Sequence, residues 1–419
     1  MEGRHLKHLV LFLVVLIISF FRVERDKEYL QEDFGKAKVL VLVEGLPNVE
    51  ANRLKVKVKI IGGDLPEIYD KTGYLTLFGA EDLPSKTFEV LGRVRLAYGK
   101  VFINASYTHI GKLVFTRESI RELFMRRVDE RIQDQEIKAL VFSYLFGESQ
   151  EVLPFEYQTA FWQTGLLHIL VVSGFHLSLV ALILRFLLPG RYGFILSLIG
   201  ISFYSFFIVP LDPPVLRAYI MIFSAFLILL IYRRPDYLSL LFLSGSIILL
   251  IFPEYLSSYS FWLSFTATLY LILANVNVDG IKNFFPSRQH YYIFMSFWGS
   301  LFATLSTSNI VATFSYITPL GIVFTPLVSM IFIPFTAYGI LELFTFFSLP
   351  TFPLELFGKI ILNLVNIISH ISFTLNTSIS VEMAIFLNIT GGVLLYFLKD
   401  WWKVLVVFLN VPFLLPLWL

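Results

Sequence analysis

The last two-thirds of this chain is a series of apolar blocks separated by short polar breaks, and this pattern limits the possible folds more than any other feature. Only 10 of the 33 lysines and arginines, and 11 of the 31 acids, fall in residues 139–419. A helix needs about 20 apolar residues to cross about 30 Å of hydrocarbon, so these blocks are typical of transmembrane helices. They predict spans near 172–189, 192–209, 214–232, 236–252, 259–275, 291–307, 310–330, 331–347, 356–376, 382–398 and 402–418. Residues 151–419 are therefore interpreted as a polytopic α-helical membrane domain.

Another apolar run, residues 6–21, lies near the start of the chain. Arg4 and Lys7 lie at its beginning, so the positive-inside rule places its N-terminus in the cytoplasm. A cleaved signal peptide is the alternative, but no small-residue cleavage site follows the run. Residues 1–36 are interpreted as an uncleaved transmembrane helix and a linker.

Residues 37–116 change to an alternation of apolar and polar residues, which is the period of a β-strand. The alternation predicts five strands, near 39–43, 54–60, 73–78, 88–97 and 100–115. Five short strands in about 80 residues are typical of a small closed barrel such as the OB-fold. The fold class expected for the whole chain is a polytopic α-helical membrane protein with an N-terminal all-β, OB-like barrel domain.

Three lysines of the second predicted strand, Lys55, Lys57 and Lys59, alternate with apolar residues. Such a row is commonly the solvated face of a half-buried strand. The alternative is a surface that follows a phosphate backbone beside exposed aromatic residues such as Phe78, Tyr98 and Tyr107. The lysines are candidate contacts for nucleic acid.

Residues 117–150 return to the helical period, with apolar residues on one side and arginines elsewhere. This pattern favours a basic amphipathic helix that lies along the membrane interface. A connector packed on the barrel is the alternative.

The stretch Gly165–Leu177 places two histidines and a Ser-Gly pair in sequence apolar enough to be membrane. Polar groups at membrane depth are costly, so His168 and His176 are candidate functional residues. Ser173 and Gly174 predict a break between two half-helices, and free N–H groups at the start of the second half would favour an anion. The alternative is that each histidine only hydrogen-bonds a neighbouring helix.

Arg217 lies about one turn inside a predicted span, shortly after Asp212. A cation there needs a partner, a wet cavity or a path for its side chain to reach the interface. We interpret it as a fixed cation in a polar path, with extension to the interface as the alternative. The secondary candidates for this path are Glu148, Asp212, Ser260, Trp262, Ser264 and Asn309.

The sequence contains no P-loop and no metalloprotease or Ser-hydrolase motif, and it has no cysteine. We therefore expect no cofactor and no metal, and any transport must be driven by a partner, a gradient or trapping on the far side. The net charge of +2 is too small to indicate nucleic-acid binding by itself.

Pairs of basic residues follow alternate spans, at Arg185 and Arg191, at Arg233 and Arg234, and at Lys282 and Arg288. All three pairs would then lie on one side of the membrane. The positive-inside rule makes that side cytoplasmic, which leaves the barrel domain extracytoplasmic.

The order of these segments resembles the ComEC competence family, the inner-membrane DNA-uptake channels of transformable bacteria. The matching segments are HILVVSGFH at 168–176, Phe146-Gly147-Glu148, PPVLRAYIM at 213–221, SFWLSFTA at 260–267 and TPLGIVFTPLVSMIFIPF at 318–335. The resemblance implies a multi-pass channel that moves single-stranded DNA across the cytoplasmic membrane during natural transformation. It also implies the partners: single-stranded DNA, the lipid bilayer, a DNA receptor protein outside and an ATP-driven motor protein in the cytoplasm, with a homo-oligomer as one form of assembly.

Departures from the family pattern concern the barrel turn and the C-terminal end. The family's Asn-Pro-Gly turn is Asn104-Ala105-Ser106 here, and the metallo-β-lactamase-like domain of many members is not found in this sequence. The resemblance is therefore to a short form, which we do not expect to be an enzyme. Two alternatives remain: an intramembrane hydrolase that uses Ser173 with His168 or His176, and a small-molecule transporter.

Overall fold

A computed structural model describes residues 2–27, 32–43, 48–50, 53–69, 71–79, 87–97, 100–106, 117–231 and 234–409. Its contacts divide the chain into two compact units. One unit is Phe21–Arg126, and the other combines Met1–Phe20 with Arg127–Leu419. The first contains all the strands, and the second is helical.

The strands form one barrel. They are β1 (Glu32–Val43), β2 (Asn48–Glu50), β3 (Arg53–Gly63), β4 (Thr72–Phe78), β5 (Thr87–Ala97) and β6 (Lys100–Ser106). The hydrogen-bonded order is β1-β5-β6-β4-β3-β2, and β1 also pairs with β3, so five strands close a ring. Among the paired strands, β4 and β6 are parallel and the others are antiparallel. This arrangement confirms the predicted OB-like barrel.

Strict alternation explains why the barrel closes. In β3, Leu54, Val56 and Val58 are buried while Lys55 and Lys57 are exposed. The buried side chains of all five long strands meet in one apolar core. The first strand begins earlier than expected, and the end of the predicted strand near 100–115 lies outside the described residues, as do Tyr98 and Tyr107.

The helical unit and its connections contain fifteen α-helices in the described residues. They are α1 (Glu2–Lys27), α2 (Arg117–Arg131), α3 (Gln135–Phe146), α4 (Phe155–Gln163), α5 (Leu167–Leu170), α6 (Gly174–Leu187), α7 (Gly190–Phe203), α8 (Pro213–Leu230), α9 (Tyr237–Ile251), α10 (Tyr259–Ala274), α11 (Asp279–Phe284), α12 (Arg288–Val311), α13 (Gly321–Phe344), α14 (Phe352–Ser369) and α15 (Val381–Phe397).

Five helical stretches of the described chain are long and apolar enough to cross a membrane. They are Leu6–Val23, Gly190–Ile208, Pro213–Leu230, Gly321–Phe344 and Phe352–Ser369, and α6, α9, α10 and α15 are shorter apolar helices. Large apolar side chains are exposed on these elements, as at Phe186 (79%) and Ile389 (63%). Apolar exposure on this scale indicates a lipid-facing surface, so the unit is a polytopic membrane region.

One face of the first helix packs against this unit, at Phe12, Val15 and Ser19. Phe12 stacks on Phe265 of α10 with ring centroids 4.9 Å apart, and the Ser19 hydroxyl donates to the Leu249 carbonyl at 3.0 Å. These contacts are typical of an integral helix of the bundle.

Three predictions about the helices need correction. The expected spans 310–330 and 331–347 are instead the single helix α13, which contains Pro326 and Pro334. Prolines are tolerated in membrane helices because neighbouring groups satisfy the carbonyls that they free. The single interfacial helix expected in 117–150 is two helices, since the Asp134 carboxylate accepts from the N–H groups of Glu136 and Ile137 and begins α3. Nine of the twelve residues of α3 are buried, so α3 belongs to the core.

The third correction concerns the span expected at 402–418. Residues Asp400–Leu409 form a 3-10 helix, and the rest of the segment lies outside the described residues. Lys403 is fully buried, and its ammonium donates to the carbonyls of Leu273 (2.5 Å) and Leu395 (2.8 Å). Those carbonyls lie at the C-terminal ends of α10 and α15, where a cation is stabilising.

Candidate functional site

The histidine motif forms a broken helix, as predicted. After α5 ends at Leu170 the chain is extended as far as Ser173, and α6 begins at Gly174. The His176 Nδ1 accepts from the Ser173 backbone N–H at 3.3 Å, so the ring fixes the start of α6. His168 is exposed, and its Nδ1 lies 2.8 Å from the Gly165 carbonyl of the preceding turn.

This geometry does not favour a Ser–His hydrolase. The histidine ring of His176 engages the backbone N–H of Ser173 rather than its hydroxyl. His168 engages a carbonyl of its own turn. A general base must be within hydrogen-bond reach of the nucleophile, and among the described residues neither ring has such a bond to the Ser173 hydroxyl.

The start of α6 packs directly against Arg217. A Cβ built on Gly174 would lie 3.4 Å from the Ala218 Cβ and 3.6 Å from Nη2 of Arg217. A Cβ here would make ordinary van der Waals contact with α8, and a larger side chain would not fit without displacing Ala218 or Arg217. Arg217 in turn donates from Nη1 to the Ser264 carbonyl of α10, and its Nε has no hydrogen-bond partner among the described residues. We call Ser173, Gly174, Arg217 and Ser264 the junction.

Other segments singled out in the sequence meet close to the same break. The Gly147 position contacts Val172 and Pro210, with 3.2 Å and 2.8 Å from a built Cβ. Gly165 has a φ of +71°, a left-handed conformation that favours glycine, and it packs on Thr318. The five quoted motifs are thus neighbours in space, although they are spread over more than 150 residues of sequence.

His176 lies beside Tyr144 of α3. It is buried, its ring centroid is 4.3 Å from that of Tyr144, and its Nε2 has no partner among the described residues. The Tyr144 hydroxyl bonds the Thr336 hydroxyl at 2.6 Å. Sequence reasoning missed Tyr144, because one aromatic residue in an apolar helix carries no pattern.

The secondary candidates do not all lie in one place. Glu148, Asp212 and Ser260 lie at the ends of helices, after α3, before α8 and in the first turn of α10. Trp262 donates from its indole N–H to the Leu256 carbonyl at 2.8 Å. Asn309 lies beside α15 instead. Its side-chain N–H donates to the Asn388 Oδ1 at 3.3 Å, and its own Oδ1 has no partner among the described residues.

The lysine row (Lys55, Lys57 and Lys59) lies on the outer surface of the barrel. The neighbouring strands add two aromatic residues that sequence reasoning missed, Tyr74 and Phe102, with ring centroids 6.0 Å apart. Their alternation with buried Gly73, Leu75 and Val101 is the signal that could have placed them outward.

An ion network lies at the other edge of this surface. Asp33 of β1 accepts from Arg93 at 2.7 Å and from Arg95 at 3.1 Å. The hydrogen bond from Arg93 is the largest cause that lowers the pKa of Asp33 to about 2. Among the described residues, no group of three or more His, Asp or Glu side chains is arranged to hold a metal ion.

Comparison with known proteins identifies the helical unit. A family model described as "Competence protein" matches residues 144–404, which include the junction. This chain belongs to the competence protein family. A curated relative from Aquifex aeolicus (strain VF5), described as an uncharacterized protein, is 34% identical over 403 residues and is matched over 95% of this chain and 94% of its own length. No solved structure matches the chain.

Membership in the competence protein family, together with the apolar helices, makes this a multi-pass membrane protein with a role in competence and DNA uptake. The family match begins at Tyr144 and therefore excludes the barrel, which is assigned by its topology alone.

Proposed function

We propose that this protein is the channel component that passes single-stranded DNA across the cytoplasmic membrane during natural transformation. The observation that carries the proposal is the position of Arg217, held by Ser264 against the break at Gly174 in a competence-family membrane unit. In this proposal the barrel receives the strand outside the cell.

The chemistry of the junction suits a phosphate backbone. A polyanion cannot cross about 30 Å of hydrocarbon without a wet, polar path. A fixed guanidinium and the N–H groups at the start of α6 both favour anions. We assign Arg217, His168, Ser173, Gly174 and His176 to this path, with contacts that are independent of base sequence.

The secondary candidates would line the approaches to the junction. Glu148, Asp212 and Ser260 lie at helix ends, where such a path would open toward water. Ser264 positions the arginine, and Trp262 offers an aromatic surface. Asn309 would act by holding α12 to α15 rather than by contact with the strand.

Orientation and partners complete the proposal. Basic residues such as Arg185, Lys282 and Arg288 favour the cytoplasmic side for the loops that carry them. The barrel is then extracytoplasmic, where a DNA receptor protein would deliver the strand. The sequence has no P-loop, so an ATP-driven motor protein in the cytoplasm would supply the work. Self-association into a homo-oligomer is part of the same proposal.

A vesicle assay tests the channel. Purified protein is reconstituted into liposomes that enclose a single-strand-binding protein as a trap, and labelled DNA protected from external nuclease is measured. Single-stranded DNA should enter and duplex DNA should not. Arg217→Ala should lower entry about tenfold or more, because a hydrogen bond to a charged group contributes about 1.5–3 kcal/mol.

The matched control is Arg185→Ala, which removes an arginine that stacks on Phe194 at 4.2 Å, away from the junction. It should leave entry unchanged, while His168→Ala and His176→Ala should lower it. Wild-type entry in Arg217→Ala, at equal protein per vesicle, would contradict the proposed path.

A further inference from the structure

The last described segment, Asp400–Leu409, is fixed to α11 and α12 by one ring. The Trp401 ring centroid lies 6.0 Å from that of Phe284 and 5.3 Å from that of Phe294. It also lies 5.9 Å from the Trp298 ring, one turn further along α12. The start of the segment therefore lies beside α11 and the first turns of α12.

Backbone hydrogen bonds hold the same end of the helical unit together. The Asp400 carboxylate accepts from the N–H groups of Gly280 at 2.7 Å and Ile281 at 3.3 Å, at the start of α11. The Asp400 N–H donates to the Asn277 carbonyl at 3.0 Å. The C-terminal ends of α10 and α15 thus meet α11 and the start of α12.

Large rings at this end are open to the surroundings. Phe284, Tyr292 and Trp402 are 75%, 67% and 68% exposed, and Trp401 is 42% exposed. Tryptophan and tyrosine concentrate where a membrane protein meets the lipid headgroups, because their apolar rings carry an N–H or O–H group that reaches water. We call these four residues the aromatic belt, and the belt indicates the depth of the headgroups.

Three cations lie within four residues of the aromatic belt. Lys282 of α11, Arg288 at the start of α12 and Lys399 before Asp400 are all exposed. Among the described residues, none of the three forms an ion pair. The acids beside them are Asp279, which is exposed, and Asp400, whose carboxylate is occupied by backbone N–H groups. The charge available at the belt is therefore positive.

A fourth cation shows where the interior of the unit begins. Lys403 is fully buried, and its ammonium donates to the Leu395 carbonyl of α15 at 2.8 Å. Three residues later Val406 packs on Gly391, where a built Cβ would lie 3.3 Å from Val406 Cγ1. The segment therefore runs back along α15 into the unit after Lys399. The three exposed cations stay at the outer end, at the level of the headgroups.

We propose that the aromatic belt and the three cations bind the headgroup of an anionic phospholipid. The phosphodiester of such a lipid carries a negative charge that Lys282, Arg288 and Lys399 can share, and basic pockets between membrane helices bind anionic headgroups. The arginine can donate to two phosphate oxygens at once. The acyl chains would lie along exposed apolar side chains next to the belt, at Ile293 and Phe397.

Charge complementarity favours an anionic lipid over a zwitterionic one. The ammonium of a zwitterionic headgroup repels the three cations, so such a lipid gains only the contacts with the aromatic belt. The headgroup site does not depend on the channel. Its assignment to the cytoplasmic leaflet, whose surface is negative, rests on the orientation in the proposed function.

Binding of two fluorescent lipids to the full-length protein in nonionic detergent tests the site. Phosphatidylglycerol is the anionic probe, and phosphatidylcholine with the same acyl chains and fluorophore is the zwitterionic one. Lys282→Gln, Arg288→Gln and Lys399→Gln should each weaken phosphatidylglycerol binding about fivefold, which corresponds to about 1 kcal/mol per cation. Phosphatidylcholine binding should be unchanged, and this probe also reports that each variant is folded.

Three further variants separate charge from structure. Lys399→Arg keeps the charge and should retain the wild-type affinity for phosphatidylglycerol. Lys359→Gln removes a cation that already pairs with Asp134 at 3.1 Å, so both affinities should stay the same. Trp402→Ala should weaken both lipids by the same factor, because the ring carries no charge.

Equal affinity of the wild type for the two lipids, or wild-type binding of phosphatidylglycerol in all three glutamine variants, would overturn the site. Inorganic phosphate at constant ionic strength should not displace the lipid, since it cannot use the belt. Displacement would assign the cations to free phosphate instead. Loss of oligo-dT binding in the glutamine variants, with phosphatidylglycerol binding unchanged, would assign them to nucleic acid. DNA entry into vesicles is a separate readout, so failure of the headgroup site leaves the channel standing.

Discussion

The barrel and the helical unit sort their side chains in opposite ways. The described core of the barrel is entirely apolar, and its lysines and arginines point outward. The helical unit buries Asn309, Glu342 and Lys403, while Phe186 is 79% exposed. The difference follows from the solvent of each unit, because water receives charged groups and lipid does not.

Burial of polar groups in the helical unit has to be matched by partners. Lys403 has two carbonyls, and Arg217 has the Ser264 carbonyl but leaves Nε without a partner among the described residues. A satisfied group such as Lys403 holds helices together. An unsatisfied one beside a helix break is where a ligand is expected.

The largest effect is expected from a charge on the lipid-facing surface. Ile389→Arg, at a 63% exposed position of α15, should disfavour membrane insertion by about 2.5–3.5 kcal/mol, the cost of arginine at a helix centre. The fraction of protein recovered folded from membranes measures it. Glu67→Arg on an exposed turn of the barrel is the control and should change stability by no more than about 0.5 kcal/mol. Equal recovery of both variants would break the comparison.

The next effect concerns the buried cation. Lys403→Met keeps most of the side-chain volume but removes the ammonium that donates to both carbonyls. The Leu273 carbonyl keeps the Val276 N–H at 3.3 Å, whereas the Leu395 carbonyl loses its side-chain donor. Leaving a buried acceptor unsatisfied costs about 1–3 kcal/mol, so thermal unfolding in detergent should occur at lower temperature. Lys399→Met, at the exposed residue immediately before the 3-10 segment that contains Lys403, is the comparison. Unchanged stability in Lys403→Met would show that the two hydrogen bonds contribute nothing net.

Close approach at the junction gives the third effect. Gly174→Leu would push α8 away from α6, because even a Cβ there meets Ala218 at 3.4 Å. Overpacking of this kind costs about 1–3 kcal/mol, and DNA entry into vesicles should fall with it. Gly174→Ala places only an ordinary contact and should retain entry. Full entry in the leucine variant would mean that the contact with Arg217 is not needed.

The smallest effect belongs to the barrel surface. Asp33 has a folded pKa of about 2, below its ordinary 3.8, so its ion pairs stabilise the barrel above about pH 4 and are lost as the pH falls toward 2. The unfolding temperature of Asp33→Asn should therefore change less than that of the wild type between pH 4 and pH 2. Circular dichroism melts at pH 5, 3.5 and 2.5 would measure the difference, and parallel curves for the two proteins would contradict the assignment.

The barrel was largely predictable, because each strand is buried on one face and alternates along its length. Lys55, Lys57 and Lys59 were placed on the correct face by this period alone. The rings beside them were not predicted. Which residues are neighbours across strands depends on the register of strand pairing, and the alternation within one strand does not determine that register. Tyr74 and Phe102 became neighbours only through the parallel pairing of β4 with β6.

The apolar blocks of the helical unit were predictable, but where each helix begins, ends or continues was predicted only in part. The break at Ser173 and Gly174 was predicted, whereas the continuity of α13 through Pro326 and Pro334 was not. Apolar periodicity indicates where helices lie, but it does not indicate which polar side chains on different helices contact each other. The contact between Arg217 and Ser264 is therefore a finding of the structure.

The central claim is that the junction is a wet path for a negatively charged strand, and cysteine labelling tests it most directly. The protein has no cysteine, so a single introduced one is the only target of a thiol reagent. In vesicles, Ser173→Cys should react with a membrane-impermeant maleimide, and single-stranded DNA should slow that reaction. Leu182→Cys, at a 50% exposed lipid-facing position of α6, should stay unreactive. An unreactive Ser173→Cys, or a reaction that DNA does not slow, would contradict the account.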